Sequence, residues 1–162
     1  MTSWRHPATV LATWFWSGRL PAAPGTWGSL AALPFAWLLM ASGGLAALLA
    51  ATAMVFVIGI RASERYAEGT GNDDPGEVVI DEVAGQWLSL APFAALEAAV
   101  PTLVQMGIGF ALFRLFDILK PWPVGLVERR LKGGLGIMAD DIVAALYAIL
   151  AIALLHLVGI LP

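Results

Sequence analysis

The sequence predicts an all-α integral membrane protein: a polytopic helical bundle with short or re-entrant helical hairpins and one clear C-terminal transmembrane span. Three observations carry this. Of the 162 residues, 59% are hydrophobic and only 13% are charged, with a mean hydropathy of +0.80. That is more apolar side chain than a soluble domain of this length can bury. The run Ile142 to Leu161 has the roughly 20 apolar residues a helix needs to cross the hydrocarbon, with His156 as its single polar interruption. Two longer apolar stretches, Leu30 to Ile60 and Val83 to Phe116, are broken near their middles by Ser42-Gly43-Gly44 and by Glu97 with Pro101, as helical hairpins would be.

Taken in order, the first element is Ala8 to Trp16, which is rich in Trp and has no small-residue cleavage site after it. It predicts a short helix in the headgroup layer and not a signal peptide. The two hairpins follow, although Leu30 to Ala41 and Val83 to Leu96 are short for a full crossing and read as re-entrant, tilted or buried against neighbours. His156 in the last span reads as a helix-packing residue. No repeat or linker divides the chain, so residues 1–162 read as a single membrane domain.

This topology places the segments before Leu30, from Arg61 to Glu82 and from Asp117 to Asp141 on one side. All nine basic residues then fall on that side or at its edge: Arg5, Arg19, Arg61, Arg65, Arg114, Lys120, Arg129, Arg130 and Lys132. The excess of Lys and Arg in cytoplasmic loops makes it the cytoplasmic side. Eleven of the twelve acids join them, Glu97 being the exception.

Composition also excludes several chemistries. With no cysteine, the chain can form no disulfide, thiolate nucleophile or Cys-ligated metal site. Nine Lys and Arg against twelve Asp and Glu leave no basic stripe for nucleic acid. Nothing in the sequence implies a protein partner.

The chemistry-bearing residues form four clusters. In "DDPGEVVIDEVAGQW", Asp74, Pro75 and Glu77 have capping-box spacing, which would put Glu77 and Asp81 one turn apart on a helix with Glu82 beside them. A cap accounts for Asp74; Asp81 and Glu82 stand at the threshold of an apolar run, where charge is costly. In "FRLFDILKPWP", Arg114, Asp117 and Lys120 recur every three residues on one helical stripe that Pro121 ends. A simple Arg114–Asp117 ion pair is the bland alternative there. In "GGLGIMADDIVAA", a glycine-rich loop leads to Asp140 and Asp141 at the start of the last span, and one of the two can be an N-cap. In "PGTWGS", Gly25, Thr26, Gly28 and Ser29 open an apolar helix and suit either a phosphate or a turn in which Ser29 is the N-cap.

On the same-side topology Asp81, Glu82, Asp117, Asp140 and Asp141 meet at the membrane boundary. Two carboxylates about 4 Å apart repel by roughly 4 kcal/mol at an effective dielectric of 20, so the cluster must take up protons or a cation. Oxygen ligands without Cys or a well-placed His favour Mg²⁺, with Mn²⁺ also suitable, over zinc.

These four stretches, in this order and spacing, resemble the phosphatidylglycerophosphatase A family from about Trp14 to Ala145. The resemblance implies a Mg²⁺-dependent phosphatase of the bacterial cytoplasmic (inner) membrane, multi-pass, with its active site facing the cytoplasm. Such an enzyme removes the terminal phosphate of phosphatidylglycerophosphate to give phosphatidylglycerol and inorganic phosphate. On this reading Asp81, Glu82, Asp117, Asp140 and Asp141, with Glu77, form the metal set. The first five with Lys120 carry catalysis, and Gly25, Thr26, Gly28, Ser29, Arg114 and Lys120 bind substrate. Lacking cysteine, a D-x-D stretch and an acidic-cluster histidine, the chain points to metal-assisted attack by water, ahead of a phospho-aspartate formed through Asp117. The rival reading is a small transporter or ion-conducting subunit using the carboxylates, which would spread its charges through the bilayer depth.

Overall fold

The computed structural model describes residues 3–96, 100–125 and 130–161. Glu97, expected to help break the second apolar stretch, and the basic Arg129 lie outside the described residues. In chain order the helices are α1 (Pro7–Ala12), α2 (Pro24–Thr70), α3 (Ile80–Ser89), α4 (Ala91–Leu96), α5 (Leu103–Leu119) and α6 (Gly133–Leu157). Among the described residues there is no strand. Two helices, α2 with 47 residues and α6 with 25, are long and apolar enough to cross a membrane.

The break in α2 falls where the sequence places it. Gly43 (φ −155°, ψ 17°) and Gly44 (φ 59°, ψ −147°) leave helical geometry, and the second conformation suits only glycine. Phe35, Leu38 and Ser42 before the break line the same apolar cavity as Ala51, Met54 and Ile58 after it. Along a straight helix Phe35 and Ile58 would stand roughly 35 Å apart, so the chain folds back into two limbs. The first limb differs from expectation in length: it starts at Pro24, not Leu30, and so is not a short helix but one of roughly 28 Å.

Helix α3 is the centre of the packing. Ile80, Val83, Ala84 and Trp87 are all buried, and the Trp87 indole donates to the Ala32 carbonyl of the first limb at 2.9 Å. The N-terminal segment also joins this core. Its helix stops at Ala12, and residues 14–16 turn in left-handed conformations. Phe15 and Trp16 stay exposed as a headgroup-layer helix requires, but Trp14 is buried edge-on against Phe35 and Trp87. Farther along the chain, Thr102 and Gln105 form a capping box that starts α5 directly after the Pro101 break.

Helix α6 begins nine residues before the expected span. The "GGLG" run opens α6 with Gly133 in the left-handed region (φ 65°), and Gly134 lets α6 lie directly on the second limb of α2: a Cβ at Gly134 would collide with the Ile60 carbonyl, and one at Gly59 would come within 2.5 Å of Met138 Sδ. Backbone cannot yield as a side-chain tip can. Gly134→Val should therefore cost about 1–3 kcal/mol or more by overpacking, read as a lower melting midpoint in detergent, while Gly76→Val in an open loop should not.

Candidate active site

The stretch before α3 is not the capped helix that its spacing suggests. The Val79 N–H donates to the Ala12 carbonyl at 2.8 Å and Gly18 packs against the Glu77 carbonyl, so residues 74–79 are held out of the helix until Ile80. Asp74 consequently caps nothing, and Glu77 is exposed and lies outside the lining of the acidic cavity. Starting α3 at Ile80 places Asp81 and Glu82 in its first turn, where the free backbone N–H groups favour carboxylates.

Around these two acids is a cavity of about 560 Å³ lined by Asp81, Glu82, Asp117, Asp140 and Asp141 together with Arg114 and Lys120. The five carboxylates thus converge from α3, α5 and α6, as the same-side topology requires. Oxygens of Asp81, Glu82 and Asp141 all lie within 4.8 Å of one another. Close approach depends on glycines: a Cβ at Gly85 would come within 2.5 Å of the Phe113 ring and 2.9 Å of the Asp141 carbonyl, and one at Gly25 would strike the Glu82 carboxylate.

The cations divide the acids between them. Arg114 Nη1 lies 2.7 Å from Asp117 Oδ2 and 3.7 Å from Glu82 Oε1, so the pairing is wider than a single bridge along α5. Lys120 ends α5 in the left-handed conformation (φ 42°), and its Nζ donates to Asp140 Oδ2 at 3.0 Å instead of continuing the Arg114–Asp117 stripe. Asp81, Glu82 and Asp141 are left with less compensation. Glu82 Oε2 and Asp141 Oδ2 are buried without a hydrogen-bond partner. Burial pushes the Glu82 carboxyl up to about 8, with Asp141 and Asp117 adding to the rise and the contacts with Asp81 and Arg114 opposing it. Asp81 is likewise raised well above the usual carboxylate range by burial and by its neighbour Glu82. Three close carboxylates, two of them with a buried unpartnered oxygen and with burial disfavouring their charge, form an oxygen-donor set that fits a divalent cation.

Two expectations for the remaining clusters are corrected. Asp140 and Asp141 are not N-caps: Lys132 is the N-cap of α6, and both acids stand two turns inside the helix. The "PGTWGS" segment is helical from Pro24, so Ser29 is not a cap either. Its hydroxyl is buried and donates to the Gly25 carbonyl at 2.9 Å. Gly28 is packed on Val79, and of the four residues only Gly25 lines the cavity. Sequence reasoning missed Asp73, Asp74 and Lys132 as lining residues. Loop acids beside a cap and a basic residue beside glycines gave no signal of their own.

The family model of phosphatidylglycerophosphatase A matches residues 10–156, a stretch that contains every acid of this cavity and both of its paired cations. The chain belongs to the phosphatidylglycerophosphatase A family. A phosphatidylglycerophosphatase A of Haemophilus influenzae is 39% identical over 149 residues, covering 91% of this chain and 87% of its own. The Escherichia coli protein of the same name is 36% identical over 156 residues, covering 95% and 84%. A Bacteroides thetaiotaomicron protein with the provisional name phosphatidylinositol-3-phosphatase is 36% identical over 154 residues, covering 89% and 90%. No solved structure matches the chain.

Proposed function

We propose that this chain, acting as one membrane domain, is the phosphatase that converts phosphatidylglycerophosphate to phosphatidylglycerol and inorganic phosphate at the cytoplasmic face of a bacterial inner membrane. The observation that carries the reading is the convergence of five carboxylates with Arg114 and Lys120 in one cavity of a chain of this family. Charge asymmetry supports the orientation, since the basic residues gather in the segments that flank this cavity. Its position at one end of the apolar helices suits a lipid whose chains stay in the bilayer while its phosphate is processed.

Asp81, Glu82 and Asp141 would hold Mg²⁺, helped by Asp117 or Asp140. When bound there, Mg²⁺ polarises a phosphoryl oxygen and lowers the pKa of water. The chain's own groups do the rest. A carboxylate of the cluster takes the proton from the attacking water as the new O–P bond forms and the P–O ester bond breaks. Arg114, fixed by Asp117 and Glu82, and Lys120, fixed by Asp140, offset the phosphate's charge and that of the departing alkoxide.

The deciding experiment is phosphate release by purified protein in detergent. Release from phosphatidylglycerophosphate that requires Mg²⁺, stops with EDTA, and falls at least about 100-fold in Asp117→Asn is expected. Faster release from phosphatidylinositol 3-phosphate would move the substrate toward that of the Bacteroides relative. No release from either in folded protein would turn attention to ion flux in vesicles.

Glu82's high pKa makes two further outcomes measurable. Metal needs the ionised carboxylate, so Mg²⁺ affinity should strengthen as pH rises through about 8, with protons released on binding. Without metal, the folded state holds a proton that the unfolded state loses above the ordinary value of 4.5. Melting midpoints in EDTA should then fall as pH rises from about 4.5 to about 8, and Mg²⁺ should reverse the loss.

A further inference from the structure

Helix α5 carries one continuous stripe, Leu103, Gly107, Phe110, Arg114 and Asp117, at alternating spacings of four and three residues. Its last two members face the acidic cavity. Its first three line a separate apolar groove of about 650 Å³, whose opposite wall is Leu30, Pro34 and Trp37 of the first limb of α2. That limb also starts at the acids, through Gly25, and runs away from them antiparallel to α5. The groove and the phosphate site therefore lie in succession along the same two helices. Gly107 leaves its floor open, since a Cβ there would meet nothing within 4 Å.

We propose that the groove between α5 and the first limb of α2 receives one acyl chain of the lipid substrate and sets the register of its phosphate against the acidic cluster. This rests on the lipid-phosphatase reading above. Gly107 lies roughly 10 Å and Leu103 roughly 16 Å along the helix from Arg114, a span suited to a long acyl chain. Burial from water is not the driving force, because the alternative location is the equally apolar bilayer. The groove acts by positioning: it restricts a freely sliding lipid to placements in which the phosphomonoester reaches the carboxylates.

The other apolar cavity, between the two limbs of α2, is a poorer receptor for that chain. Ile80 and Trp87 line it, seven residues apart on one face of α3, whereas Asp81 and Glu82 of the same helix line the acidic cavity. A chain lodged there would have α3 between itself and the acids.

The test compares dipalmitoyl and dihexanoyl phosphatidylglycerophosphate as substrates in mixed micelles with Mg²⁺, for wild type, Gly107→Leu, Gly107→Phe and Met54→Trp. Replacing a helical glycine raises helix propensity, and a melting curve confirms folding. The ratio of kcat/KM for the long-chain over the short-chain lipid should fall about threefold in Gly107→Leu and at least tenfold in Gly107→Phe, chiefly through KM. Met54→Trp, which narrows the cavity between the limbs, should leave that ratio as in wild type. An unchanged ratio in Gly107→Phe, or a fall in Met54→Trp alone, overturns the groove assignment while leaving the phosphatase reading intact. Wild-type protein that releases phosphate from neither lipid overturns the phosphatase reading itself.

Discussion

Glu82→Gln should reduce Mg²⁺-dependent phosphate release by about 10³-fold or more, with the protein still folded. Removing a partner that only orients a metal ligand typically costs 10–100-fold, and a carboxylate that holds the ion directly must exceed that. Glu82 is also placed to be indispensable: its Oε2 is buried and unpartnered, while its Oε1 faces Arg114 at 3.7 Å. Glutamine keeps the shape and loses the charge. Because burial already disfavours the ionised form, metal-free Glu82→Gln should melt no lower than metal-free wild type at pH 8, and should gain less from added Mg²⁺. A variant that lost activity but gained the full Mg²⁺ stabilisation would place the ion on other carboxylates. Phosphate release and melting with and without Mg²⁺ thus separate ligand loss from misfolding.

Much of this site is legible in the sequence for a physical reason. A charge beside an apolar helix is expensive enough to need a purpose, so Asp81, Glu82, Asp117, Asp140 and Asp141 stand out without any structure, and all five line one cavity. The hairpin break at Gly43-Gly44 is legible likewise, because a Ser-Gly-Gly run inside an apolar stretch has few other uses. Local rules fail where tertiary contact overrides them. Capping-box spacing at Asp74 and Glu77 is real, yet the contact of Val79 with Ala12 holds that stretch as a turn outside the helix. The glycines before Asp140 read as a loop because glycine has low helix propensity, whereas here Gly134 lets α6 approach α2 and Gly136 makes room for the Leu131 carbonyl. Glycine at such a position reports a close neighbour, and which neighbour is a fact about the fold and not the segment. The pairing of Lys120 is illegible for the same reason: its spacing continues the Arg114–Asp117 stripe, but α5 ends at Leu119 and its partner, Asp140, comes from α6.

Arg114→Met should be the most destabilising substitution at the site. The guanidinium lies between Asp117 at 2.7 Å and Glu82 at 3.7 Å, and all three side chains are only 13–14% exposed. Deleting the cation leaves two carboxylates with less compensation where water screens them poorly, a loss of about 3–5 kcal/mol for a broken buried pair. Activity should fall as well, since Arg114 is the cation nearest the start of the apolar groove and helps fix Asp117. Arg114→Lys keeps the charge and should recover part of the stability, short of wild type because its compact ammonium is more strongly hydrated and costlier to bury. The informative comparison is the double variant Arg114→Met with Asp117→Asn. If the pair is the main reason for the loss, neutralising Asp117 removes much of the uncompensated charge, and the double variant should be more stable than the sum of the single losses by about 1–3 kcal/mol. Simple additivity would instead mean that Arg114 contributes mainly by packing against its surroundings. Activity gives the converse result: the double variant should remain inactive even where stability returns, because restored charge balance does not replace the phosphate-binding cation and metal-assisting carboxylate proposed for Arg114 and Asp117.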